Sequence, residues 1–167
     1  MKRKKSILEK RLKKMKLKRI ENVNILGYNM EFTYEFFGKD KTRYMILWEI
    51  YGEEIIIGVI NTQTKNKLGG VHLISDTING YRHLKDIDTK IFQNRGIGTA
   101  MMITFFDIVI TKTPDVEIIY GSINSLIGDG NAKKFYNSFD GEIIHNKTIY
   151  CEFITFSEHD KLVYKLK

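Results

Sequence analysis

Between residues 30 and 89 the apolar and polar positions follow one another with a strand-like period. Segments 30–37, 43–50, 54–61, 68–75 and 81–89 are rich in β-branched and aromatic residues, which suit a pleated, half-buried surface. Turn-forming residues separate them: Gly38-Lys39-Asp40, Gly52, the 61–67 stretch and Asn79-Gly80. These spacings predict antiparallel hairpins. The pattern then changes. Residues 96–111 are apolar nearly all round, as in a helix buried against a sheet, and Pro114 stands just beyond, where helices stop. Segment 116–123 reads as a short apolar strand. Ala132, Phe135, Tyr136 and Phe139 fall on one face of a second helix, and 141–155 and 162–166 read as closing strands.

The first residues follow another rule. Ser6 and Glu9 make an S-x-x-E capping box, and Leu8, Leu12 and Met15 share a helical face. A helix is therefore expected over 6–19. The whole order predicts an α+β fold, a mixed and mostly antiparallel central sheet flanked by helices, with an N-terminal basic helix in front. The chain divides into a basic arm, residues 1–20, and a domain, residues 21–167.

Charge sharpens this division. The chain of 167 residues carries a net +7, yet residues 1–19 alone hold eleven Lys/Arg against one Glu, so the remainder is mildly acidic. Such an arm suits nucleic acid or another anionic surface. It has no aromatic residue, so binding would run through phosphate, with steep salt dependence and little sequence preference. A solubilising tail is the plainer reading of the same residues. Cys151 is the single cysteine and cannot form an internal disulfide; in its alternating apolar run it reads as a small buried hydrophobe. No apolar segment follows the basic start, and the longest apolar stretch, 97–110, is broken by Thr99, Thr104 and Asp107. A cytoplasmic protein without a membrane span is expected.

The strand-to-helix junction Gln93-Asn94-Arg95-Gly96-Ile97-Gly98-Thr99-Ala100 carries the first candidate chemistry. The first N–H groups of a helix have no internal partner and lie at the positive end of its dipole, so they stabilise an anion without any side chain. Glycine lets a phosphate come close to the backbone, and Arg95 adds positive charge. The dinucleotide pattern G-x-G-x-x-G fails because Met101 holds the third glycine position, and no Gly-Lys-Ser/Thr of a P-loop occurs. A tight turn with glycines for packing alone accounts for the segment equally well.

Segment 93–98 resembles the Q/R-x-x-G-x-G/A signature of the GNAT superfamily of N-acetyltransferases. Thr99-Ala100-Met101-Met102 is similar to the start of that family's buried helix. Ala132-Lys133-Lys134-Phe135-Tyr136, followed by Gly141, resembles its second motif. The resemblance covers roughly residues 68–167. It implies an acyl-CoA-dependent N-acetyltransferase that moves an acetyl group from acetyl-CoA to a primary amine of a small molecule or polypeptide by direct attack. By the same resemblance the pyrophosphate rests on the backbone N–H groups of Arg95, Gly96, Ile97, Gly98 and Thr99, flanked by Gln93 and Asn94. Ile87, Asp88, Thr89 and Lys90 pair with the pantetheine arm as an added strand does. The next strand splays away near 122–124, and Asn124 and Asn131 bond the arm. Asn131 is offset from the family's usual asparagine position, which Asp129 occupies. Tyr136 takes the place of the general acid that protonates the leaving thiolate. Two other classes remain open: a non-catalytic acyl-CoA-binding module on the same fold, and a GNAT-fold protein tethered to nucleic acid by its arm.

The attacking amine must be neutral, and a lysine-like amine is about one part in a thousand neutral at pH 7. Asp86 and Asp88 alternate with Ile87 before the glycine turn and put two carboxylates on one strand face. They are candidate bases, with a solvated strand face as the plain alternative. His83 is a further candidate. The four histidines show no ligand spacing, so no metal is expected. The family usually places two helices between its first and second strands, as one wall of the acceptor site. Residues 30–75 leave no room for them, so either the N-terminal helix replaces part of that wall or the site is open. A C-terminal edge strand offers a surface for a homodimer.

Overall fold

A computed structural model describes residues 16–78, 81–89, 92, 96–113, 116, 118–122, 142–144, 149–151, 154–156 and 161–165. Seven strands come first: β1 (Lys18–Ile25), β2 (Tyr28–Phe37), β3 (Arg43–Tyr51), β4 (Glu54–Asn61), the two-residue β5 (Asn66–Lys67), β6 (His72–Ile78) and β7 (Tyr81–Asp88). Helix α1 (Ile97–Lys112) follows, then β8 (Ile118–Ser122), β9 (Glu142–Ile144), β10 (Ile149–Cys151), β11 (Ile154–Phe156) and β12 (Lys161–Lys165). One sheet runs in the order β1-β2-β3-β4-β6-β7-β8-β12-β9, with β5 beside β4, and β10 pairs β11 separately. This is the α+β architecture expected from the hydrophobic pattern. Among the described pairings only β7 to β8 is parallel, and α1 is the crossover between them. A parallel pair needs such a crossover, while its antiparallel neighbours close with short turns.

The turns explain the hairpins. Gly52, with φ of 58°, opens the two-residue loop between Tyr51 and Glu54, as a primed hairpin turn requires. Leu26 and Gly27 both take positive φ, 51° and 82°, and join Ile25 to Tyr28 in another two-residue loop. A leucine in that conformation is uncommon, which is why the first hairpin escapes a reading based on turn residues.

That hairpin corrects the C-terminal end of the expected N-terminal helix. The helix expected over 6–19, and the arm expected over 1–20, run into β1, where Lys18, Arg19 and Ile20 pair with Glu35, Tyr34 and Thr33. The reason is tertiary. Arg19 lies over the Phe32 ring, 4.4 Å from its centroid, and its Nε donates to Asp107 Oδ2 at 3.2 Å. Tyr34 donates its hydroxyl to the same oxygen. Burial alone would lower the pKa of the Arg19 guanidinium, but the hydrogen bond and charge of Asp107 raise it above its ordinary value. Burial, together with Asp107, pushes the Tyr34 hydroxyl well above the usual tyrosine range. Asp107 thus ties a largely apolar helix to β1 and β2, and Lys112 adds an ion pair with Glu31 of β2. Residues 6–15 of the expected helix lie outside the described residues, as does the helix expected around 132–139. The single strand expected over 141–155 is instead β9, β10 and the start of β11.

The core joins both layers. Ile97, Ala100, Met101, Met102, Ile103, Phe105, Phe106, Ile108 and Val109 of α1 are buried with Ile46, Ile55, Ile57, Val59, Leu73 and Leu84 of the sheet. Apolar area removed from water contributes roughly 25 cal/mol per Å². Thr104 is buried in α1 as well, and it satisfies its hydroxyl on the Ala100 carbonyl at 2.8 Å.

Candidate functional site

Two strands and one helix end meet at the site. β7 runs parallel to β8 through Arg82↔Ile119, His83↔Tyr120 and Leu84↔Gly121. Asp86, Ile87 and Asp88 lie beyond that ladder on the β8 side, while on the other side they remain paired with β6, as Ile74↔Asp86, Leu73↔Ile87 and His72↔Asp88. Between Leu84, which pairs Ser75, and Asp86, which pairs Ile74, Lys85 is an extra residue. A bulge of this kind bends its strand and increases its twist.

The bulge also sets the faces. It restores the pleat so that Ile87 follows the buried Leu73, while Asp86 and Asp88 share the opposite face with His72, Asp76 and His83. The sequence placed the two carboxylates on one face, and the register agrees. It also puts two histidines beside carboxylates, which the sequence could not show because the pairs cross strands. His72 Nε2 is 2.7 Å from Asp86 Oδ2, and His83 Nδ1 is 2.8 Å from Asp76 Oδ1.

Past β7, the Phe92 N–H donates to the Thr89 carbonyl at 2.8 Å, turning the chain toward α1. Gly96 precedes the helix with φ 86° and ψ 0°, and its carbonyl accepts the first helical bond, from the Ala100 N–H at 3.0 Å. Only glycine adopts this left-handed conformation without strain. Gly98 is different: it sits inside the helix and does not have a positive φ. No side-chain hydrogen bond caps this helix start among the described residues, and its first turn holds no acidic residue. Gly96, Gly98 and Thr99 are half-buried, whereas Ile97 is anchored in the core. The positive end of α1 therefore follows β7 as the next element of the chain.

The structure describes Asp86, Ile87, Asp88 and Thr89 at the end of β7 and Gly96, Ile97, Gly98 and Thr99 at the start of α1. Lys90, Gln93, Asn94, Arg95, Asn124, Asn131 and Tyr136 lie outside the described residues. No group of three or more His, Cys, Asp or Glu residues that could hold a metal occurs among the described residues. Among them, too, no helix is long and apolar enough to cross a membrane.

At the far end of the β6–β7 hairpin Arg82 is buried, 5% exposed. Its Nη1 donates to the Glu53 carbonyl at 2.8 Å, to Ser75 Oγ and to the Asp76 carbonyl. Burial lowers its pKa, against the opposing charges of Glu53 and Asp76. This arginine ties the β3–β4 turn to β6 and takes no part in the site.

No protein-family model matches the chain, and no curated protein sequence matches it. Solved structures to which it is similar include the spermidine/spermine N-acetyltransferase of Vibrio cholerae, solved with manganese ions. That similarity has 14% identity and a TM-score of 0.48, and covers 68% of this chain and 66% of that one, just under two thirds of its length. Another is a protein of Desulfovibrio desulfuricans assigned to the GNAT family of acetyltransferases, with 12% identity, a TM-score of 0.47 and 69% of each chain covered.

Proposed function

We propose that the chain is an acyl-CoA-dependent N-acyltransferase that transfers an acetyl group from acetyl-CoA to a primary amine of a small molecule or polypeptide. The observation that carries the reading is the conjunction at the end of β7. Among the described residues β7 continues past its last rung with β8, Leu84↔Gly121, through Asp86 to Asp88, and the chain then reaches a glycine-bounded helix start that has no side-chain cap among those residues. An extended arm ending in a pyrophosphate suits both halves: backbone pairing along the strand edge and anion binding at the helix end. The resemblance of 93–98 and 132–136 to the GNAT motifs supports the same assignment from the sequence side.

The chain's residues then divide the work. Ile87, Asp88, Thr89 and Lys90 offer the edge to the pantetheine. The N–H groups of Arg95, Gly96, Ile97, Gly98 and Thr99 hold the pyrophosphate, with Gln93, Asn94, Asn124 and Asn131 around the arm. The amine attacks the thioester carbonyl, and the departing sulfur receives a proton from Tyr136, a contribution typically worth ~10²–10⁴ in rate.

Calorimetric titration of acetyl-CoA tests the cofactor half. Gly98→Glu is the informative variant. Its backbone accepts a side chain, and a carboxylate in the first helical turn favours the helix dipole, so the fold survives while the anion site is filled. Wild-type binding lost in Gly98→Glu is the expected result. Absence of wild-type binding overturns the reading. Acyl-CoA binding without turnover of any amine, unchanged in Tyr136→Phe, would leave a non-catalytic binding module in its place.

A further inference from the structure

We propose that His72, held by Asp86, is the group that takes the proton from the acceptor amine, so that Asp86 is a positioning residue rather than the base itself. The inference rests on the acyltransfer reading above and identifies the base within it. Two geometrically similar histidine–carboxylate pairs lie on the same face of the β6–β7 hairpin, and their positions differ. His83, paired with Asp76, lies within the closed ladder, opposite Tyr120 of β8. His72 and Asp86 stand beyond the last described rung of that ladder, at the end of β7 from which the chain continues to α1 and beside the strand segment assigned to the pantetheine. The first pair sits within the described ladder, and the second sits at the α1 end of the hairpin.

The chemistry of the second pair follows from its contact. A carboxylate accepts, so the ring nitrogen 2.7 Å from Asp86 Oδ2, Nε2, is the one that carries the hydrogen. That fixes the tautomer and leaves Nδ1 with the lone pair. The negative carboxylate stabilises the imidazolium that forms when Nδ1 takes a proton. The side chains are 31% and 54% exposed, so an acceptor from solvent has access to them. Other charges also face His72. Asp88 is its direct cross-strand partner. On the β4 side, Gly58 follows Ile57, which pairs Leu73, so it is the next position beside His72. The Lys67 chain passes over Gly58, with Cε 2.9 Å from where a Cβ would stand. Asp76 and His83 lie further along the same face. Gly58 thus gives the Lys67 chain room, and the Lys67 ammonium donates to the Tyr28 hydroxyl at 3.2 Å.

In the step itself, the acceptor arrives as an ammonium ion and gives one proton to His72 Nδ1. The nitrogen lone pair forms the C–N bond while the thioester C–S bond breaks. The sulfur takes a proton from the Tyr136 hydroxyl, the second nitrogen proton restores that hydroxyl, and His72 releases its proton to water. Each turnover yields an amide, free coenzyme A and one proton.

The test is the pH profile of kcat/KM, with acetyl-CoA as donor and 1,4-diaminobutane, benzylamine and a lysine-containing peptide as acceptors. His72→Gln is expected to lose ~10²–10⁴ in kcat/KM at neutral pH. It should flatten the acidic limb of the profile while acetyl-CoA binding by calorimetry is retained. Added imidazole should restore part of the rate to His72→Gly, which a merely structural role would not allow. Asp86→Asn should lower kcat/KM while acetyl-CoA binding is retained, because the imidazole loses the carboxylate that fixes its tautomer and orientation. A His72→Gln enzyme with the wild-type profile overturns this assignment and leaves the acyltransfer reading intact. Wild-type binding of acetyl-CoA with no turnover of any of the three amines also overturns it. A wild type that does not bind acetyl-CoA takes down both.

Discussion

At the scale of single residues, three side chains owe their roles to partners far away in sequence. Asp107 interrupts an apolar run and looks like a blemish in the helix, yet it accepts from both Arg19 and Tyr34. Because the Tyr34 hydroxyl is held protonated by burial and by Asp107, its pKa is higher folded than unfolded. The stability it contributes is therefore fully present below the unfolded value of about 10 and falls as pH rises above it. Alkaline unfolding followed by circular dichroism should show this decline, and Tyr34→Phe should flatten it. Arg82 invites a second comparison. Arg82→Ala strips the donor from the Glu53 and Asp76 carbonyls and from Ser75, at a cost of about 2–4 kcal/mol. Arg82→Met should cost less in chemical denaturation, because it keeps the packing and buries no charge. Gly96→Ala should cost about 1–2 kcal/mol, since its φ of 86° is left-handed, whereas Gly98→Ala should cost nothing or stabilise.

Among the elements, β7 decides the site, and its bulge is the feature that the sequence conceals. Strict alternation along 81–89 would put Ile87 on the same face as His83 and Lys85; the extra residue at Lys85 changes the parity and returns Ile87 to the core face. Deleting Lys85 keeps the inward and outward faces but removes the bend. The expected outcome is a folded protein, by circular dichroism, that binds acetyl-CoA more weakly by calorimetry, because the bend that sets the course of residues 86–88 is lost. The strands β2, β3, β4 and β7 were legible within two residues at each end, because Gly52 and Gly38 mark their turns and the apolar runs have the strand period. β1 was not. Its Lys18, Arg19, Glu21 and Asn24 hide the pattern, and its turn uses a leucine where asparagine would have announced a hairpin. The first helix residues of the glycine junction were legible to within a residue, because buried apolar positions on every side have no other solution than a helix under a sheet.

For the molecule as a whole, the boundary between arm and domain falls earlier than the charge pattern suggests. Leu17 is in the core and Lys18 begins β1, so removal of residues 1–15 should leave thermal stability close to that of the full chain. Removal of residues 1–20 takes half of β1 and the Arg19–Asp107 contact, and should lower the melting temperature by several degrees. The basic arm then becomes testable by itself. Loss of salt-sensitive nucleic-acid retention on removing 1–15, with acetyl-CoA binding unchanged, would make it a tether; unchanged retention would leave it a solubilising tail.

The sequence by itself determined the α+β class, the hairpins from β2 to β4, the buried helix after the glycine pair and the sharing of one face by Asp86 and Asp88. Each of these follows from local periodicity and turn chemistry, which are written along the chain. The tertiary structure alone decided where β7 bulges, which histidine meets which carboxylate, and that Arg19 belongs to the sheet. Those facts depend on register between strands distant in sequence, and a one-residue bulge is enough to change them.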